Sequence, residues 1–369
     1  YTPKHLADRI FKTRAAMQGE RKRVTVLFAD IKGSTKLAQE AGAEAWHGIL
    51  DRFFSILSGA VHRYEGTVNQ YTGDGIMALF GAPIAHEDHA QRACFAALEM
   101  QAEVRRFADE MRLKKGLNLS MRVGLNTGEV IVGRIGDDLR MDYTAVGQTT
   151  HLASRMEQLA SPGTTLITGE TLRLAEGYFK VKPLGPVPVK GLTEPVEVYE
   201  VAGVGPARTR LQAAAARGLT RFVGRDAEIE ALRQALEKAR GGHGQVVAIV
   251  GEPGVGKSRL FYEFIHSHRT HGWLVLESGS VSYGKATPYL PVIDLLKAYF
   301  KIQDRDDQRE IREKVTGKLL TLDEALKPSL PGFLNLLDLP VEDSQWQGLD
   351  PPQRRQRTLE AVKRLLLRE

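Results

Sequence analysis

Val24-Thr25-Val26-Leu27-Phe28-Ala29-Asp30-Ile31-Lys32-Gly33-Ser34-Thr35 is the stretch on which the fold turns. Residues 24–28 are apolar and rich in β-branched types, the pattern of a buried strand. Asp30 follows just past the expected strand end, and Gly33, Ser34 and Thr35 open an expected helix. A carboxylate at a strand tip, beside amides exposed at a helix start, can hold a divalent cation against polyphosphate oxygens. Taken alone, the same residues serve as a turn acid and a helix cap. The rest of the chain has to decide between these roles.

Working outward, residues 35–64 carry Trp46, Ile49, Leu50, Phe53, Leu57, Val61 and Tyr64 at spacings of three and four, one apolar helical face. Gly66 ends that helix. Residues 67–71 and 76–80 read as strands around Thr72-Gly73-Asp74-Gly75, and Asp-Gly between β-rich runs predicts a hairpin with Asp74 at its turn. A long amphipathic helix is expected over 86–114. Residues 117–125 and 130–135 read as another strand pair turning at Asn126-Thr127-Gly128, followed by a short strand over 141–146. A helix from Gly147 to about Ala160 bears His151 and Arg155, and Ser161-Pro162-Gly163 breaks it. Strands are expected over 164–168, 178–181, 187–189 and 196–201. This order describes an α/β domain, a mixed sheet covered by helices.

Length suggests two domains. Residues 1–23 form a polar, basic lead-in, 24–203 the first domain, 204–220 a linker and 221–369 the second domain. The chain is expected to be a fragment of a longer protein. Charged residues make up 26% and hydrophobic ones 42% of the 369, ordinary values for a soluble domain. Nothing approaches about 18 consecutive apolar residues, so no membrane span is expected. One cysteine, Cys94, excludes an internal disulfide framework and fits a cytoplasmic location. A net charge of +6 suits polyphosphate ligands, and no nucleic-acid partner is expected. His86-Glu87-Asp88-His89 fits a helix start better than a metal site, and Cys94 fits core packing.

Phe28-Ala29-Asp30-Ile31-Lys32-Gly33-Ser34-Thr35, Gly73-Asp74-Gly75 and His151-Leu152-Ala153-Ser154-Arg155-Met156 together resemble the catalytic domain of class III adenylate and guanylate cyclases. Val189-Lys190-Gly191-Leu192 and residues 196–201 resemble that domain's closing hairpin. The resemblance covers about residues 22–203 and implies a mixed, mainly antiparallel sheet. It implies that Asp30 and Asp74, with the Ile31 carbonyl, hold two Mg²⁺ or Mn²⁺ ions. In-line attack of a ribose 3′-oxygen on the α-phosphorus calls for such charge neutralisation. Amides of Gly33, Ser34 and Thr35 are implied to cradle the outer phosphates, Lys190 to bind the triphosphate, and Arg155 to stabilise transition-state charge. The family assembles head to tail, so a second copy of the chain is the implied partner and ATP the implied substrate.

The base pocket departs from the family pattern. The family's adenine-pairing lysine is here Gln70, its aspartate Thr144, and its ribose-orienting asparagine His151. Polar contacts persist without the fixed charge pair, which leaves selectivity between ATP and GTP open. The threonine resembles the subgroup of soluble adenylyl cyclase and implies a small-molecule activator such as bicarbonate. A nucleotide sensor without turnover, or a scaffold driven by the second domain, are the rival readings.

Gly251-Glu252-Pro253-Gly254-Val255-Gly256-Lys257-Ser258, between an expected strand over 245–250 and an expected helix, is a P-loop. Gly251, Gly254 and Gly256 would let the backbone wrap the phosphates of ATP, Lys257 would reach them, and Ser258 would take Mg²⁺. With Phe222-Val223-Gly224-Arg225 upstream, the second domain resembles AAA-like signalling ATPases. A further strand is expected over 273–277. No apolar strand ending in an acid completes a hydrolytic site before Glu369.

Overall fold

The computed structural model describes residues 20–132, 134–135, 142–143, 147–189, 192–205, 207, 209–215, 218–252, 254–267, 270–280, 288–303 and 306–369. The chain divides into two units, residues 1–226 and 227–369.

In the first unit, β1 (Glu20–Ile31), β2 (Thr67–Tyr71), β3 (Gly75–Phe80), β4 (Met121–Val132), β7 (Thr165–Thr168), β8 (Phe179–Val187) and β9 (Val196–Val204) form one sheet. Its order is β2-β3-β1-β4-β7-β9-β8. All pairings are antiparallel except β4 with β7. The short strands β5 (Arg134–Ile135) and β6 (Asp142–Tyr143) pair separately. The helices are α1 (Ser34–Ala41), α2 (Ala43–Arg63), α3 (His89–Lys115), α4 (Gln148–Leu159), α5 (Gly169–Ala175) and α6 (Arg210–Ala215).

Alternation along β1 sorts its side chains onto two faces. Leu27, Ala29 and Ile31 join the main core with Phe53, Leu57, Met100 and Phe107 from α2 and α3. Val24 and Val26 face the opposite way, into a core that includes Ala153 of α4. Asp30 shares this second parity, so the strand delivers its carboxylate to the face that α4 covers. Cys94 is fully buried in the main core, and burial pushes its thiol up to about 12.

Several expectations change. The helix expected over 35–64 is two, because Gly42 at φ 78° breaks it. The turn expected at Asn126-Thr127-Gly128 does not form; β4 runs straight through it, with those residues opposite Val26, Thr25 and Val24. Pairing with β1 and burial of the Asn126 and Thr127 side chains override the local turn preference. Residues 178–189 hold one bulged strand rather than two pieces. Helix α5 follows β7 where the sequence predicts no helix. Ala207 and Ala213, from the expected linker, are buried in the main core.

Two glycines of β4 let α4 lie almost on the sheet. A Cβ at Gly124 would fall 1.9 Å from the Glu157 amide nitrogen, and one at Gly128 would fall 2.5 Å from Thr149 Oγ1.

The second unit holds α7 (Asp226–Arg240), α8 (Lys257–Ile265), α9 (Leu290–Tyr299), α10 (Gln308–Leu322), α11 (Leu330–Leu336), α12 (Ser344–Gln347) and α13 (Pro351–Arg368). Its core gathers Leu296, Phe300, Val315, Leu319, Phe333 and Leu365. Reciprocal caps start two of these helices, Asp307 with Glu310 and Asp350 with Gln353. The strands expected over 245–250 and 273–277 carry no ladder partner among the described residues, and Val246 and Val250 are exposed. A strand needs a neighbour to satisfy its backbone, and none is paired here.

Gly124→Ala should lower the stability of the first unit by about 1–3 kcal/mol, since the backbone of α4 cannot yield as a flexible side chain would. A urea titration followed by circular dichroism, compared with Gly48→Ala on an open helix surface, measures this.

Candidate active site

Asp30 lies within β1, one residue before its end rather than past it, paired with Gly75 of β3 and Arg122 of β4. The β2–β3 hairpin closes through the Thr72 amide, which donates to the Gly75 carbonyl at 2.8 Å. Gly73 takes φ 84° within that turn. Gly75 is required for a different reason: a Cβ there would lie 2.3 Å from the Ala29 carbonyl oxygen. The Ile31 amide donates to the Asp74 carbonyl at 3.1 Å, tying the hairpin to the end of β1. The Asp30 and Asp74 carboxyls thereby come within hydrogen-bonding reach.

Helix α1 starts beside them. Gly33 adopts φ 72° and leads into Ser34, whose hydroxyl donates to Asp74 Oδ2. Thr35 follows on an exposed turn. Amides in the first turn of a helix lack intrahelical acceptors, so Gly33 to Thr35 present donors next to the acids.

Burial, then the adjacent Asp74 charge, pushes Asp30 up to about 6. Asp30 Oδ1 is buried without a hydrogen-bond partner. An orphaned carboxylate oxygen facing a second carboxylate is a donor set that suits a divalent cation.

Two further residues belong to this site. Arg122 Nη2 lies 3.2 Å from Asp30 Oδ2 and 2.6 Å from Glu157 Oε1. Glu157 is buried on α4, and burial pushes it up to about 7. Neither residue is predicted from the sequence. The available signal was an arginine between the apolar Met121 and Val123 of a strand, since a buried charge needs a partner.

The remaining candidates separate into groups. His151 and Arg155 are exposed on α4, and Arg155 Nη1 donates to Gln158 of its own helix at 2.6 Å rather than to the acid pair. Gln70 is exposed on β2, opposite Met77 beside a bulge. Thr144 and Lys190 lie outside the described residues, as does Pro253 of the P-loop. The His86–His89 segment is engaged structurally: His86 Nε2 is 3.5 Å from Glu65, and Asp88 pairs with Arg92 at 2.7 Å.

In the second unit, Gly254 and Gly256 both take left-handed φ values, 88° and 92°, and Lys257 starts α8. Lys257 Nζ folds over the loop, donating to the Gly251 and Glu252 carbonyls at 2.7 Å each. Gly251 and Ser258 are exposed at either end.

Residues 17–203 match the adenylate and guanylate cyclase catalytic domain family. The chain belongs to that family. Residues 221–369 match the AAA ATPase domain. Adenylate cyclase 1 of Rhizobium meliloti is 32% identical over 211 residues, 55% of this chain and 31% of that protein. The chain thus spans about a third of this curated relative. Among solved structures, the adenylyl cyclase CyaB from P. aeruginosa is 34% identical, covering 50% of this chain and 96% of that one, with a TM-score of 0.48. The guanylyl cyclase Cya2 is 33% identical, covering 52% and 98%, also with a TM-score of 0.48. No described helix of this cyclase-family chain is long and apolar enough to cross a membrane.

The raised Asp30 has a consequence for stability. Folding lifts this carboxyl from 3.8 to about 6, so its contribution is present below the unfolded value and lost as pH rises through the folded one. In EDTA, Asp30→Asn should therefore gain stability over the wild type as pH rises from about 4 to 7. Paired melting curves across that window check it; a constant difference would show that the acid pair carries no such strain.

Proposed function

We propose that the first unit converts ATP to cyclic AMP and pyrophosphate at a site completed by a second copy of the chain. The observation that carries this reading is the Asp30–Asp74 pair with its buried, unpartnered Asp30 oxygen. Asp30, Asp74 and the Ile31 carbonyl are the groups that would hold two Mg²⁺ or Mn²⁺ ions. Bound there, such ions supply activation of the 3′-hydroxyl and neutralisation of the phosphate oxygens.

The chain's own residues do the rest. Amides of Gly33, Ser34 and Thr35 bind the β- and γ-phosphates. Arg122, held by Glu157, tempers the repulsion between the acids. Arg155 is exposed and, among the described residues, bonds within its own helix, which suits a guanidinium that reaches the α-phosphate held by another copy. His151 on the same helix face accompanies it toward the ribose. Gln70 and Thr144 read the base through neutral hydrogen bonds, and Lys190 meets the triphosphate. The adenylate cyclase name of the Rhizobium relative supports ATP over GTP. The P-loop unit binds ATP through Gly251, Gly254, Gly256, Lys257 and Ser258 and regulates the cyclase unit in the same chain.

With Mn²⁺ and ATP the chain should form cyclic AMP at a specific activity that falls on dilution. Asp30→Ala and Arg155→Ala should each lose at least about a hundredfold, the scale of removing one preorganised charge. Equal mixtures of the two variants should regain activity through dimers with one intact site. Absence of cyclic product from ATP and GTP alike would contradict the proposal.

A further inference from the structure

Helix α4 rests on two glycines of β4, Gly124 under Glu157 and Gly128 under Thr149. Glycine seats bring the helix close, yet they offer no side chain to fix its position along its axis. Asn126 lies between them. Its Nδ2 donates to the Thr149 carbonyl at 3.0 Å, and both residues are buried. Thr149 Oγ1 donates in turn to the Glu129 carbonyl at 2.8 Å.

Asn126 is itself held from behind. The Thr168 hydroxyl, at the end of β7, donates to Asn126 Oδ1 at 2.7 Å, which fixes which end of the amide faces α4. Thr168 also lies 3.4 Å from the Thr171 hydroxyl of α5, which is 3.1 Å from Thr127. From Thr127 the chain of hydroxyls continues to Thr25 and then to His89 Nδ1 at the start of α3, each step 2.8 Å. Every member is buried. The network crosses from the α3 face of the sheet to the α4 face and ends on the first turn of α4. Buried, fully satisfied polar networks specify one arrangement where apolar packing tolerates several.

We propose that Asn126 is a positioning residue for the cyclase reaction, fixing the first turn of α4 and through it Arg155. Thr149 and Arg155 are six residues apart on one helix, about 9 Å of rigid rise. A slip at Thr149 is therefore carried undiminished to the guanidinium. This rests on the reading that Arg155 serves the site of a second copy. Asn126 then acts on the arginine half of the site and leaves the acid half of its own chain alone.

The test is a sorting experiment with cyclic AMP production as readout. Asn126→Ala should lower kcat about ten- to a hundredfold, the range for a misplaced catalytic group, with KM changed by less than about threefold. Mixed with Asp30→Ala, it should recover severalfold, because the mixed dimer joins its intact acids to an undisturbed Arg155. Mixed with Arg155→Ala, it should recover nothing. Thr168→Val, nearly isosteric, removes the hydroxyl behind Asn126 and should sort the same way with a smaller loss; it carries the test if Asn126→Ala does not fold. Equal rescue by both partners, or by neither, overturns the positioning role when Asp30→Ala and Arg155→Ala rescue each other. Failure of that control pair instead overturns the shared site and the positioning role together.

Discussion

The repulsion between Asp30 and Asp74 is the constraint around which the first unit is built. Two carboxyls are brought within hydrogen-bonding reach in a half-buried setting, where burial and then the Asp74 charge oppose ionisation of Asp30. The surrounding parts make sense as ways to hold them there. The Ile31 amide ties the hairpin to the strand end, Gly75 lets β3 press against Ala29, and Ser34 donates to Asp74. Arg122 supplies one positive charge, and Glu157 holds Arg122 from the other side. Arg122 and Lys32 against three carboxyls leave the cluster short of positive charge, and that deficit is what divalent cations would fill.

The same unit keeps Arg155 away from the acids. Both sit on elements that pack directly together, since α4 covers the face of β1 that carries Asp30. Yet Glu157 turns inward and Arg155 outward, as residues two apart on a helix must. Helix α4 is thus used on both sides: its inner face buffers the acid pair, and its outer face offers a cation. This separation is what the proposed sharing of the site between copies calls for.

Much of this was legible in local sequence. Asp30 after a β-branched run, and Asp74 in an Asp-Gly turn, announce themselves within a few residues of chain. Elements with a clear period, α2, α3 and α4 among them, were legible for the same reason. What escaped was set by distant partners. Asn126-Thr127-Gly128 reads as a turn until β1 lies beside it and a buried network claims its side chains. Arg122 and Glu157 are 35 positions apart and gain meaning only when the sheet joins them. In the second unit, Gly254 and Gly256 of the P-loop adopt left-handed angles, whereas the flanking apolar segments find no strand to pair with among the described residues.

Under the proposed function, one chain would build the cation site from its acids while Arg155 stands apart from it. Mn²⁺ binding, followed by electron paramagnetic resonance without nucleotide, tests this directly. Arg155→Ala should bind Mn²⁺ as tightly as the wild type, and Asp30→Asn and Asp74→Asn should each lose that binding. Retained Mn²⁺ binding in both acid variants, or its loss in Arg155→Ala, would contradict the account.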